Sequence, residues 1–364
     1  MNFDTTGLAL AAVCPSNKMI TDDKGMPSIY VQVGAQNLSD LLTGGDDTVH
    51  PAFRVSGVEQ PSLYIGKYQG IADANRIYSL PGVDPMVNVT LDTYEQYCRN
   101  KGFGHHCITA AEWAFLALWC KKNGTQPKGN NNYGKDTTET ARQAIPVPGV
   151  LDSGRTARVL TGTGPLSWRH DGTIDGICDL NGNVWEWTAG IRLVKGELQV
   201  IPYNNAADPD VDTGEASAQW KAIKAAATSW EDLFITPDGQ GTTAGSVKLD
   251  FVSSHWQWGA SITSLSDSAR SATFASTTST GLSATAKLYL QSMALLPEDG
   301  AAAEDYNGDY FWANNGAAER CAIRGGSWDF GASAGVFDMS FDNPRSSSAW
   351  SVGGRPAFVK LETE

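Results

Sequence analysis

The chain has 364 residues, 41% of them hydrophobic, with 12 Trp, 11 Tyr and 12 Phe, enough apolar mass for the ordered core of one large domain or two ordinary ones. Its formal charge of −13 argues against DNA, RNA or an anionic membrane as the main partner, because each of those calls for a basic face. Six scattered cysteines (Cys14, Cys98, Cys107, Cys120, Cys178 and Cys321) include no CxxC pair, which speaks against a zinc ribbon or thioredoxin-type site and predicts free, buried thiols.

Near the start, "GLALAAVC" (Gly7 to Cys14) is too short and too uncharged at its flank to read as a signal peptide. No apolar run approaches the length of a membrane span, so membrane insertion is not expected. Residues 1–50 read as short strands and turns, with Ser28 to Gly34 the clearest alternating stretch. Aromatic-rich strand and loop follow at Pro61 to Ile71. Thr90 to Gly102 and Thr109 to Gly124 then read as helices, the second opened by a Thr109/Glu112 capping box and stopped by its glycine. Lys128 to Asp136 is loop, and Asp171 to Leu193 is a Gly/Asn-rich turn feeding an aromatic strand. Thirty-eight Gly and 16 Pro fit a chain of many turns and short strands. Residues 194–318 change character to Ala, Ser, Thr, Gly and Asp with scattered Trp220, Trp230, Trp256 and Trp258. They read as an ordered insertion between a first part, 55–193, and a second, 319–364, of one domain, preceded by an N-terminal extension, 1–54. No repeat of fixed period occurs.

The terminal segment Arg324 to Pro356 is framed by Gly325, Gly326, Trp328, Gly335, Pro344, Arg345, Gly353 and Arg355. Within it "FDMSFD" alternates strictly, which puts Phe337, Met339 and Phe341 on a buried face and Asp338, Ser340 and Asp342 on a displayed one. Residues of the displayed kind recur as Ser327, Asp329, Phe330, Ser333, Asn343, Ser347, Ala349, Trp350 and Ser351. Small polar and aromatic side chains on a rigid frame suit recognition, with aromatics as anchors and serines as adaptable contacts.

Four ordered segments, "CITAAEWAFLALW", "DLNGNVWEWTAG", "RGGSW" and "GGRPAF", resemble the formylglycine-generating-enzyme branch of the C-type lectin fold. The resemblance covers roughly residues 55–193 and 319–359, and it implies an irregular α+β domain with two helices and small antiparallel sheets. The enzyme of that family binds copper through a cysteine pair after its Arg-Gly-Gly-Ser-Trp motif, but Arg324 to Phe358 contains no Cys. Since thiolate is the ligand and nucleophile of that chemistry, no catalysis is expected. An oxidase stays open as an alternative only if Cys178 and Cys321 meet in one pocket. The related sulfoxide synthases use a histidine triad, and of His50, His105, His106, His170 and His255 only the His105-His106 pair beside Cys107 invites a metal reading. Adjacent side chains diverge, so a surface or capping role is the better expectation. No cofactor is required. The resemblance does imply a structural Ca²⁺ on the carboxylates of Asp179 and Glu186 and the carbonyls of Gly182 and Val184, against the alternative that the two acids cap turns and pair with arginines. Trp185 and Trp187 are expected in the core.

The terminal segment also resembles the variable proteins of diversity-generating retroelements, many of which use this lectin fold. There, template adenines are mutated, typically in asparagine codons, and such codons randomised at two bases never yield Lys, Glu or Gln. Arg324 to Val359 contains none of the three, although a Ser/Gly-rich segment would be poor in them anyway. Trp350 departs from the pattern, because no such change in an asparagine codon yields it. The resemblance implies a display protein whose variable surface recognises a protein or glycan on a cell surface, carried on a phage tail or a bacterial surface. The 194–318 insertion is expected to shape the rim of that surface or to mediate assembly, and the oligomeric state is left open. A structural virion protein, with the displayed residues buried in an oligomer contact, is a further alternative.

Overall fold

The computed structural model describes residues 5–361. The first third holds helix α1 (Thr5–Val13), strands β1 (Asn17–Thr21), β2 (Pro27–Gly34) and β3 (Ser62–Gly66), helix α2 (Leu91–Arg99), strand β4 (His105–Cys107) and helix α3 (Ala110–Asn123). The middle holds β5 (Trp185–Val194), β6 (Glu197–Val200), β7 (Lys248–Val252), β8 (His255–Gly259), β9 (Arg270–Thr273) and helix α4 (Ala284–Ser292). The chain ends with β10 (Tyr310–Ala313), β11 (Arg320–Arg324), β12 (Met339–Asn343), β13 (Val352–Gly354) and β14 (Pro356–Phe358). Shorter strands and turns link these elements into a mixed α+β fold.

A five-stranded antiparallel sheet runs β1-β2-β3-β14-β4. Its fourth strand comes from the terminal Gly-Gly-Arg-Pro segment, with Ala357 opposite Ile65 on one side and His106 on the other. The end of the chain therefore completes a sheet begun at its start, which fixes the terminal segment at both ends. The second sheet runs β9-β10-β12-β11-β5-β6-β7-β8 and reaches twelve strands with its branches. Three of its pairings are parallel: β10 with β12, β5 with β13, and β8 with the short strand Thr278–Ser279. The 194–318 segment supplies β6 to β8 on one side of the central β5, β11 and β12, and β9 and β10 on the other.

Helix α3 begins as its sequence dictates: the Thr109 hydroxyl accepts the Glu112 N–H at 3.1 Å and Glu112 accepts the Thr109 N–H at 3.0 Å. It ends at Gly124, whose φ of 65° a residue with a Cβ adopts only with strain. Every residue from Ala110 to Leu118 is buried, and Trp113 donates to the Val336 carbonyl at 2.8 Å, tying the helix to the terminal segment. Helix α2 is capped by Thr90. Helices α1 and α4 fall where no helical periodicity was read; α4 is nucleated by the Ser283 hydroxyl, which accepts the Ala286 N–H at 3.2 Å.

One large core cluster gathers α3, α4 and the inner faces of both sheets, with Trp113, Trp256 and Trp258 fully buried. A second lies under Trp185, Trp187, Ile323 and Val352. All six cysteines are buried and free. The expectation that His105 and His106 lie at the surface or cap an element is corrected: both are buried. The short strand β4 is an edge strand of the first sheet, and its side chains point into the protein: His105 meets the Tyr30 hydroxyl at 3.1 Å and His106 meets the Glu112 carboxylate at 2.9 Å.

Candidate ligand-binding surface

After β11 the chain turns at Gly325 and Gly326, both with φ near 90° (92° and 80°). A Cβ on Gly326 would stand 2.4 Å from the Cβ of Ala334, so the loop 327–334 closes only on glycine. Inside this loop Trp328 is buried and Asp329 is exposed, while Phe330 and Ser333 are half-buried. The second open stretch begins at the end of β12, with Asp342 and Asn343, and continues into the loop after it; these two residues and Ser347, Ala349 and Ser351 are half-buried, and Trp350 is 42% exposed.

Three residues expected on display are not there. Ser327 and Asp338 are wholly buried and Ser340 is 5% exposed. Strand β12 is internal, between β10 and β11, and Ser340 lies in register between Trp312 and Ile323. Consecutive residues Met339, Ser340 and Phe341 are all buried, so both faces of the strand are covered and strict alternation separates two buried environments rather than core from solvent. Asp338 sits one residue before the strand with neither carboxylate oxygen bonded, close to the buried Asp309 and Arg324. Burial, and then the charge of Asp309, push its carboxyl up; Arg324 pulls the other way.

The backbones of both loops are pinned by groups outside them. In the first, Gly331 donates to the Asn131 carbonyl and Tyr133 donates to the Trp328 carbonyl, each at 2.8 Å. In the second, Asn88 donates to the Ala349 carbonyl at 3.0 Å and Trp185 to the Ser351 carbonyl at 2.9 Å. Arg158, itself held by Asp84, donates to the Trp350 carbonyl at 3.2 Å. Arg345 anchors the loop by pairing with Asp92 at 2.7 Å and Glu319 at 3.3 Å. The loops meet through aromatic contacts: Trp328 and Trp350 stand edge-on with centroids 4.6 Å apart, and Phe330 packs edge-on to Trp185 at 4.9 Å.

Residues outside the terminal segment border these loops and escaped the sequence reading. Trp312 of β10 packs at 6.0 Å from Phe330 and at 5.6 Å from Tyr310, and its indole N–H has no partner. Tyr133 lies under the Arg155 guanidinium at 3.3 Å, next to the hairpin that exposes Leu151. The aromatic run "YFW" was the available signal for β10, whose residues alternate half-buried and buried in the structure.

The proposed cation loop is also drawn differently. The carbonyls of Asp179, Gly182 and Val184 and the carboxylate of Glu186 converge, at 3.2, 3.5, 3.0 and 3.0 Å, on the Nε2 of Gln69. The Asp179 carboxylate, expected as a ligand, instead turns away to accept the Gly162 N–H at 2.8 Å, and burial raises it to about 6. Glu186 is gripped by Arg355 through Nε at 3.0 Å and Nη2 at 2.7 Å. Trp185 and Trp187 are in the core.

Cys178 and Cys321 have different surroundings. The charges around Cys178 are Asp179, Arg169, Lys67 and Arg355, and those around Cys321 are Glu319, Arg345, Glu95 and Arg192. Burial pushes both thiols up to about 12, which disfavours the thiolate that copper or nucleophilic chemistry uses. Among the described residues no group of three or more His, Cys, Asp or Glu side chains is placed to hold a metal. Nor is any described helix long and apolar enough to cross a membrane.

No family model matches the sequence, and neither does any curated protein. Among solved structures the chain is similar to Treponema denticola variable protein 1, at 11% identity over 94% of this chain and 99% of that one, with a TM-score of 0.33. It is similar to the M1 variant of the Major Tropism Determinant at 10% identity, over 96% of this chain and 72% of that one, with a TM-score of 0.31. PvdO from Pseudomonas aeruginosa shares 18% identity over 55% of this chain and 82% of that one, with a TM-score of 0.27.

Proposed function

We propose that the chain is a non-catalytic binding protein that presents the side chains of two adjoining loops, 329–333 and 342–351, to a protein or glycan on a cell surface. The observation that supports this most is the division of labour within the loops. Their backbones are bonded to Asn131, Tyr133, Asn88, Trp185 and Arg158, whereas Asp329, Phe330, Ser333, Asn343, Ser347, Ala349, Trp350 and Ser351 stay at least partly open. A loop whose shape is set by framework donors can change its side chains at small cost, usually within about 0.5 kcal/mol per surface site. Trp350 and Phe330 are the aromatic anchors of the surface, and the serines its adaptable contacts.

Under this reading the segment is one that a retroelement diversifies, and the protein belongs on a phage tail or a bacterial surface. Sequencing the DNA downstream of the gene tests that origin. A second copy of the codons for Arg324 to Phe358, mismatched only at template adenines and followed by a reverse transcriptase gene, is the expected result. Finding neither would leave a binding protein of fixed specificity. Binding of the full chain to protease-treated and periodate-treated cells then separates a protein ligand from a glycan.

A further inference from the structure

We propose that the side-chain amide of Gln69 takes the place of a cation in the loop Asp179–Glu186, so that this loop is held by a neutral group and needs no calcium. The oxygens that a bound ion would collect are gathered around one nitrogen. Three carbonyls and a carboxylate lie 3.0–3.5 Å from Gln69 Nε2. Calcium holds its oxygens at about 2.3–2.6 Å and takes six to eight of them, so the ion and the amide cannot share this space.

The orientation of the amide is fixed by its neighbours. The Asn183 Oδ1 accepts the Val159 N–H at 2.8 Å and the Asn130 Nδ2 at 3.1 Å, so its Nδ2 is the atom that faces Gln69. That Nδ2 donates to the Gln69 Oε1 at 2.8 Å, which turns the Gln69 Nε2 toward the carbonyls. Flipping Gln69 would set its oxygen against four acceptors and its nitrogen against a donor. A chain of three amides, Asn130, Asn183 and Gln69, therefore runs from the 130 loop into the cage.

Charge points the same way. The carboxylate that meets Gln69 Nε2, Glu186, already has both oxygens on Arg355, whose guanidinium also donates to the Cys178 carbonyl at 2.9 Å and the Gly66 carbonyl at 2.9 Å. All of these groups are buried. A divalent ion placed beside that guanidinium would face an unscreened positive charge and would gain no free carboxylate in return.

Melting the full-length protein in EDTA and in millimolar calcium, with isothermal calorimetry of calcium binding alongside, tests the proposal. The expected result is a midpoint unchanged within about 1 °C and no saturable binding, because a ligand without a site adds nothing to the folded state. Gln69→Glu, which puts a negative charge among the four acceptors, is expected to lower the midpoint in EDTA and to recover part of the loss in calcium. A saturable calcium-dependent rise of several degrees in the unaltered protein, with one ion bound per chain, would overturn the proposal. The unaltered protein decides the matter whether or not the variant folds.

Discussion

Trp350 stands edge-on to Trp328, ring centroids 4.6 Å apart and planes at 67°, and this contact joins the two open loops. Trp328 is 1% exposed and its indole donates to Asp152 at 3.3 Å, whereas Trp350 is 42% exposed. The pair therefore divides into a structural ring and a presented one. Trp350→Ala should cost no more than about 0.5–1.5 kcal/mol, the value of an aromatic pair, and weaken ligand binding. Trp328→Ala should cost about 3–5 kcal/mol. Denaturant melts of the two variants check the contrast, and equal losses would contradict it.

A buried pair of acids makes the fold sensitive to base. Asp309 is raised to about 7, mainly by burial, and Asp338 is raised too, by burial and by the charge of Asp309. In the unfolded chain both titrate near 3.9, as ordinary aspartates do. Folding therefore takes up protons, so the stability these groups supply is complete below pH ~4 and is lost as pH rises through about 7. Buried His50 and His170, both lowered to about 4, act in the opposite sense at acid pH, so the comparison belongs above pH ~6.5. Asp338→Asn keeps the shape and removes the charge. It should raise the melting midpoint at pH 8 and flatten the fall between pH 6.5 and 8.5; a parallel curve would contradict the account.

Gly326→Ala should destabilise the protein more than an ordinary loop substitution. The new methyl would meet Ala334 Cβ at 2.4 Å, and φ of 80° is already unfavourable for a residue with a side chain. The left-handed backbone alone costs about 1–2 kcal/mol. Calorimetry checks the midpoint; an unchanged value would mean that the 327–334 loop is not set by its glycines.

Helix α3 was legible because its signals are local: a capping box, an apolar run and a terminal glycine all lie within sixteen residues, from Thr109 to Gly124. Helix α4 was not legible, since its mixed Ala, Tyr, Leu and Gln surface is organised by helix α3 and by Trp230 and Phe234, against which it packs, rather than by a clean stripe. The frame of the terminal segment could be read from its glycines and its buried tryptophan. The display of Asp338 and Ser340 could not be judged from alternation alone, because β12 is an internal strand buried on both faces, and burial of the second face leaves no mark on a two-residue period. The surroundings of the Asp179 and Glu186 loop were not legible for a similar reason: the motif is local, but Gln69 and Arg355, which meet it, lie in connections between strands far away in sequence.

The most direct measurement compares two libraries of the full-length protein for protease resistance. One randomises Asp329, Phe330, Ser333, Asn343, Ser347, Ala349, Trp350 and Ser351, and the other randomises Ser327, Asp338 and Ser340. If the loops are a rigid backbone carrying exchangeable side chains, most members of the first library stay folded and most of the second do not. If the two libraries lose folded members to the same extent, the open residues are structural and the display reading is wrong.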